Sequence, residues 1–139
     1  MVGTKGSMDF LVDATLLIDL WREQRNPGPA TRFALEHHDQ TAAMPWMVMG
    51  EFLRGAYVAG VPREKFQEFL DAYILVWPSL ETVDRYARLY ADMKTSGRVI
   101  GPNDLWIAAS ALEHNLPLVT RNGRDFDGIP DLVVWRYRE

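Results

Sequence analysis

Residues 9–22 read DFLVDATLLIDLWR, and this stretch decides the fold class. Its short apolar run predicts a first strand over Asp9–Val12, and the apolar spacing that begins at Leu16 predicts a helix to Arg22. Asp13 stands where the strand ends and the helix approaches. A buried strand that leads directly into a helix is how alternating α/β domains begin.

The same alternation continues along the rest of the chain. Apolar runs predict further strands at residues 41–44, 74–77, 118–120 and 132–135, and helical spacing predicts helices at 30–38, 46–59, from 62, 82–95 and 105–114. Asn115 suits a left-handed helix cap, and Pro117 suits the stop that follows. We therefore expect one α/β domain with a mainly parallel five-stranded sheet and helices on both faces.

Composition limits the remaining possibilities. The chain has 139 residues, no cysteine and 47 % apolar residues, so a disulfide scaffold and a thiolate zinc site are excluded. Its apolar runs are shorter than the roughly 20 residues that cross a bilayer, and we expect a cytoplasmic protein without membrane contact. Residues 1–7, MVGTKGS, are interpreted as a cloning leader or a disordered N-terminus, which leaves 8–139 for the domain.

Acidic and amide side chains fall at one predicted edge of the sheet. Asp13 follows the first strand, Glu51 lies early in the helix after the second, and Asp104 begins the helix that leads into the fourth. Asn122 and Asp125 follow the fourth strand directly. Each also has an ordinary explanation, such as a helix cap, a pair between Glu51 and the arginine one turn later, or a turn. These separate explanations do not account for all of the side chains lying at the same edge, which is much less expected by chance.

Clustered carboxylates repel one another unless they are protonated or hold a cation. Oxygen ligands without histidine or cysteine select hard ions, which here means Mg²⁺ or Mn²⁺. Such an ion lowers the pKa of a bound water for attack on a phosphodiester. The pattern therefore predicts metal-dependent phosphodiester hydrolysis.

Four segments carry a resemblance to a known family. They are LVDATLLID at 11–19, MGEFLRG at 49–55, IGPNDLWIAA at 100–109 and LPLVTRNGRDF at 116–126. In order and spacing they resemble the motifs of PIN-domain ribonucleases, and the last resembles that of the VapC-type toxins of type II toxin–antitoxin systems. The match covers nearly the whole chain.

The resemblance implies a Mg²⁺-dependent endoribonuclease, with Mn²⁺ as a possible substitute. It also implies an RNA substrate, a homodimer and inhibition by a cognate antitoxin protein. By position, Asp13, Glu51 and Asp104 match the metal-binding residues of the family. Many members carry a fourth acid where this chain has Asn122, which brings no charge, so Asp125 is a candidate for that catalytic role.

Departures from the family pattern and basic residues near the edge add further candidates. Ala14 replaces a frequent hydroxyl, whereas Thr15 is retained as a residue that orients Asp13. Asn122 remains a candidate for a hydrogen bond to a metal-bound water. Arg121 and Arg124 are candidates for substrate phosphates, although exposed arginines are often only solvated.

Other functions stay open at this point. One is a PIN nuclease in RNA processing that is not a toxin. Another is a non-enzymatic, receiver-like phospho-acceptor domain, which the sequence disfavours because it needs a second early acidic cluster and a late lysine after a strand, where Arg121 is a poor substitute. A haloacid-dehalogenase-type phosphatase needs a second aspartate where Thr15 stands. The net charge of −4 equals the four acids at the predicted site, since the other acidic and basic residues are equal in number. Metal bound there would offset the acidity where RNA must approach.

Overall fold

The computed structural model describes residues 7–138, so the predicted leader lies outside the described residues except for Ser7, which is exposed. Five strands alternate with six helices. The strands are β1 (Phe10–Val12), β2 (Ala42–Pro45), β3 (Ile74–Val76), β4 (Leu118–Thr120) and β5 (Val134–Arg136). The helices are α1 (Ala14–Arg22), α2 (Pro29–Glu36), α3 (Trp46–Val58), α4 (Arg63–Asp71), α5 (Leu80–Thr95) and α6 (Pro102–Glu113).

The five strands form one sheet in the order β3-β2-β1-β4-β5, and every pair is parallel. Right-handed crossovers then place α1–α4 on one face and α5 and α6 on the other. The chain moves outward from β1 in both directions, so the order reverses between β1 and β4. In such sheets ligands bind beyond the carboxyl ends of the strands at this reversal.

The core consists of the central strands and the helices that pack against them. The strands β1, β2 and β4 are buried at every residue, as expected for a sheet covered on both faces. A cluster of aromatic rings fills the space between α1, α3 and α4, with Trp21 edge-on to Phe52, Phe66 and Phe69 at 5.5–6.2 Å between ring centroids. Helix α6 is buried at six of its twelve residues. No helix within residues 7–138 is long and apolar enough to cross a membrane.

The fold predicted from the sequence is confirmed, with small shifts at the element ends. Asn115 has a φ of 54°, in agreement with the predicted left-handed cap. Helix α6 begins at Pro102, so Asp104 is its third residue and does not open it. A short 3-10 helix at Gly123–Phe126 was not predicted, because four residues carry no usable periodicity.

Candidate active site

Asp13 is fixed at the junction of β1 and α1. Its Oδ1 accepts hydrogen bonds from the Thr15 backbone N at 3.0 Å, the Leu16 backbone N at 3.3 Å and the Thr15 hydroxyl at 2.6 Å. Its Oδ2 accepts a hydrogen bond from the hydroxyl of Thr120 at the end of β4. Oδ1 therefore serves as the helix cap, while Oδ2 keeps acceptor capacity toward the sheet edge.

Burial dominates the electrostatics of Asp13. Only 5 % of the residue is exposed, and this burial raises the pKa of its carboxyl despite the hydrogen bonds from Thr120, Thr15 and Leu16 that lower it. Burial of this kind makes the charged form of a carboxyl less favourable than it is in water. A nearby cation would stabilise its charged form.

Glu51 reaches the same edge from the second turn of α3. Partial burial raises its pKa, the positive charge of Arg54 opposes that change, and the negative charge of Asp13 adds to it. The side chain of Asn103, at the start of α6, also lowers the pKa of Glu51 through a hydrogen bond. The influence of Arg54 on Glu51 agrees with the pair that the sequence suggested, whereas Asn103 was not predicted and is added by the structure.

Asp104 is the carboxylate most affected by the others. Burial is the largest cause, and together with the charges of Asp125, Glu51 and Asp13, in that order of size, it raises the pKa of Asp104 to about 6. The negative charges of all three other predicted acids therefore raise the pKa of Asp104. The structure places Asp125, Glu51 and Asp13 near enough to Asp104 for their charges to raise its pKa.

The segment after β4 contributes both a positioning hydroxyl and the fourth acid. The buried Thr120 hydroxyl accepts a hydrogen bond from the Asn122 backbone N at 3.0 Å while it donates to Asp13. The Asn122 carbonyl in turn accepts from the Asp125 backbone N at 3.0 Å, which begins the 3-10 helix. Asn122 thus shapes this turn with its backbone, and Asp125 and Arg124 lie exposed on it.

Two features of this region were missed by the sequence reasoning. Thr120 looked only like the last residue of a strand, although its hydroxyl holds Asp13. Asp19 is buried in α1, where it pairs with Arg121 and accepts a hydrogen bond from Tyr137. A buried aspartate on the apolar face of the α1 pattern was the available signal, because buried charges require partners.

The donor set fits a hard divalent cation. Asp13, Glu51 and Asp104 offer oxygen atoms alone, and burial is the largest cause that raises the pKa of each of these carboxyls. Within the described range 7–138, no three potential ligands are close enough to hold one ion together. Mg²⁺ commonly binds through one or two carboxylates and completes its shell with water, so a site with fewer than three direct protein ligands is compatible with this ion.

Comparison with known proteins gives a consistent set of relatives. Residues 10–132 match the model of the PIN domain family. The chain is 30 % identical to Ribonuclease VapC of Rickettsia bellii, in an alignment that covers 91 % of this chain and 95 % of that protein.

Solved structures agree with the sequence relatives. A toxin–antitoxin complex from Klebsiella pneumoniae contains a chain with a TM-score of 0.76 and 28 % identity, which covers 94 % of this chain and 99 % of that one. The VapBC-1 structure from nontypeable Haemophilus influenzae gives a TM-score of 0.78 at 25 % identity, with 94 % and 98 % covered.

Proposed function

This chain belongs to the PIN-domain family and, within it, to the VapC group, and we propose that it is a Mg²⁺-dependent endoribonuclease that acts as the toxin of a toxin–antitoxin pair. The relatives named Ribonuclease VapC support the reaction, and the toxin–antitoxin complexes among the structural neighbours support a cognate antitoxin as partner. The substrate is RNA in the cytoplasm, and the active unit is a homodimer.

The observation that carries this proposal is the electrostatic coupling of four carboxylates at the β1/β4 reversal. Asp104 has a pKa of about 6 because it is partly buried and because Asp125, Glu51 and Asp13 surround it with negative charge. Such a cluster lowers the stability of the folded chain unless something positive binds there. Negative charge that destabilises the free protein but binds a cation is typical of the active sites of metal-dependent nucleases.

Asp13, Glu51 and Asp104 would supply the carboxylates of the site, and water would complete the shell of the ion, because no three potential ligands among residues 7–138 are close enough to hold it together. When bound, a divalent cation supplies Lewis acidity and lowers the pKa of a coordinated water. Asp13 presents Oδ2 in a fixed orientation, because four hydrogen-bond donors hold its carboxylate. The pKa of Asp104 in the metal-free protein is about 6, so its carboxylate is mainly charged at pH 7 and available to the cation.

Residues on the turn after β4 complete the site on the substrate side. Asp125 adds negative charge close to Asp104 and is the candidate fourth acid. Arg124 is exposed on the same turn and is placed to meet a phosphate of the RNA. Asn122 offers an uncharged amide beside them, which suits a hydrogen bond to a metal-bound water.

The central test is cleavage of single-stranded RNA by purified protein in Mg²⁺ or in EDTA. We expect cleavage only in Mg²⁺, and loss of at least a hundredfold in Asp13→Asn and Asp104→Asn. Arg85→Gln, which alters an exposed ion pair with Glu81 on α5, is the matched control and should cleave normally. Equal cleavage in EDTA, or by all variants, would refute the mechanism.

A second experiment separates a toxin from an RNA-processing nuclease. Expression of the wild-type chain should arrest growth, and expression of Asp13→Asn should not. Co-expression with the protein encoded beside it should restore growth if that neighbour is the antitoxin. Normal growth with an active nuclease would leave the catalytic proposal intact and refute the toxin role.

A further inference from the structure

The side chains of Asp19, Arg121 and Tyr137 form a hydrogen-bonded network next to the candidate site. The Asp19 side chain, only 8 % exposed, accepts a hydrogen bond from the Arg121 guanidinium at 2.8 Å and another from the Tyr137 hydroxyl at 2.6 Å. Asp19 belongs to α1, Arg121 follows β4 and Tyr137 follows β5. The network therefore ties the first helix to two segments that lie more than a hundred residues away along the chain.

Thr15 links this network to Asp13. The backbone N of Arg121 donates a hydrogen bond to the Thr15 hydroxyl oxygen at 3.1 Å, and the same hydroxyl donates to Asp13 Oδ1 at 2.6 Å. A hydroxyl has one hydrogen, so accepting from Arg121 leaves that hydrogen for Asp13. Fixing Arg121 in place therefore fixes the direction in which Thr15 donates.

Stability alone is a poor explanation for this arrangement. Burying a charge such as Asp19 costs solvation energy that an ion pair only partly recovers, and apolar side chains of the same size often stabilise a protein more. The network instead lies where it can determine geometry, since two hydrogen bonds, through the Thr15 hydroxyl, connect Arg121 to the buried carboxylate of Asp13. The Arg121 guanidinium is also paired with Asp19, which occupies one of its nitrogen atoms.

We propose that Asp19, Arg121 and Tyr137 are positioning residues that set the affinity of the site for its divalent cation by orienting Thr15, and through it Asp13. This inference rests on the proposed function, because it assumes that Asp13 binds the cation. It assigns Arg121 to the support of the site and leaves Arg124 as the phosphate-binding candidate. Partners of metal-binding side chains commonly change metal affinity by ten- to a hundredfold when they are removed.

The test measures Mn²⁺ affinity of the full chain directly, by calorimetric titration without RNA. Asp19→Asn should weaken Mn²⁺ binding about tenfold. Tyr137→Phe should weaken it about threefold, because it removes one hydrogen bond and keeps the ion pair; it also serves if Asp19→Asn does not fold. The control Arg85→Gln should bind within twofold of wild type, since its ion pair lies on exposed α5.

A double-mutant cycle separates positioning from general weakening of the fold. Thr15→Val removes the hydroxyl through which the network acts, so Asp19→Asn should change Mn²⁺ affinity less than twofold in that background. RNA cleavage by Asp19→Asn should also return to near the wild-type rate at saturating Mg²⁺. A merely structural role predicts additive effects and no recovery with metal.

The outcomes are distinct. Wild-type affinity in both Asp19→Asn and Tyr137→Phe, or additive effects with Thr15→Val, would overturn the inference while leaving the proposed function standing. Asp13→Asn reports on the proposed function itself, since it should abolish Mn²⁺ binding at the site. If wild type and Asp13→Asn bind Mn²⁺ equally, the proposed metal site fails and the inference fails with it.

Discussion

Thr120 donates its hydroxyl hydrogen to Asp13 across 107 positions of sequence. The two residues come together because β1 and β4 are adjacent parallel strands, in which Val12 pairs with Val119. One residue further along each strand, the two side chains emerge side by side at the carboxyl edge. A carboxylate that is central to the candidate site is therefore held by a residue from the far end of the chain.

Thr120→Val should impair both stability and cleavage. The substitution keeps the shape of the side chain but removes the donor to Asp13 and leaves the Asn122 backbone N–H without its acceptor. We expect a loss of about 1–3 kcal/mol in the free energy of unfolding and a ten- to hundredfold loss of RNA cleavage. Urea unfolding and a cleavage assay measure the two. Thr120→Ser retains the hydroxyl and should stay close to wild type in both; a defect as large as that of valine would show that the hydroxyl is not the cause.

Asp104→Asn should stabilise the metal-free protein at neutral pH. The pKa of Asp104 rises from 3.8 to about 6 on folding through burial and the charges of Asp125, Glu51 and Asp13. A raised carboxyl pKa stabilises the fold below the unfolded value, and this contribution is lost as pH rises through about 6. In EDTA at pH 7 we expect the variant to be more stable by about 1–2 kcal/mol, a figure reduced for partial solvent exposure.

The same comparison at pH 4 supplies an internal control, because Asp104 is then largely protonated in the folded chain and the two proteins should unfold alike. Asp84→Asn changes an exposed aspartate of α5 that pairs with Arg88 and should bring no gain at pH 7. A less stable Asp104→Asn at pH 7 would mean that the carboxylate cluster does not strain the free protein.

Metal affinity should depend on pH around the pKa of Asp104. Protons and the cation compete for the carboxylate, so Mn²⁺ binding should weaken about tenfold between pH 7 and pH 5. Titration of Mn²⁺ into the protein at several pH values measures this. Asp104→Asn should bind more weakly at pH 7 and lose most of the dependence over this range. A wild-type affinity that is flat from pH 5 to pH 7 would contradict the role of Asp104.

Asp125 should matter more than Asn122 for catalysis. The charge of Asp125 is the largest of the charge contributions that raise the pKa of Asp104, whereas Asn122 acts on its neighbours through its backbone. We expect Asp125→Asn to lower RNA cleavage about tenfold and to lower the pKa of Asp104, while Asn122→Ala changes cleavage less than threefold. Cleavage rates measured against pH give both quantities. The opposite ranking would assign the fourth position to Asn122.

Much of the fold was predictable because strongly apolar strands alternate with helices of regular spacing. The run before Asp13 and the helix around Ala108 are buried as expected, and Asn115 adopts the left-handed conformation that its place after α6 required. Helix α5 shows the limit of such patterns. Val83 and Tyr90 belong to its predicted apolar side, yet about half of each residue is exposed. The reason is that α5 packs mainly against one element, α6, which covers only part of that side.

The carboxylates of the site were predictable for a different reason. Strand order does not have to be known to place Asp13 and Asp104 at one edge, because parallel strands all end there. The contacts between distant segments could not be predicted in the same way. That Asp19 meets Arg121 and Tyr137 depends on the register of β4 and β5 against β1, and no local period in the sequence encodes that register.

The position of β1 in the middle of the sheet has a consequence for biosynthesis. A ribosome makes β1, β2 and β3 first, and one edge of β1 stays open until β4 is synthesised. Thr120, Asp125 and Tyr137 follow Asp13 by more than a hundred residues, so a growing polypeptide carries Asp13 before the Thr120 hydroxyl that holds its Oδ2. Long-range parallel pairing is also slow to form. The order of synthesis therefore leaves the site unassembled until β4 and the segments after it have been made.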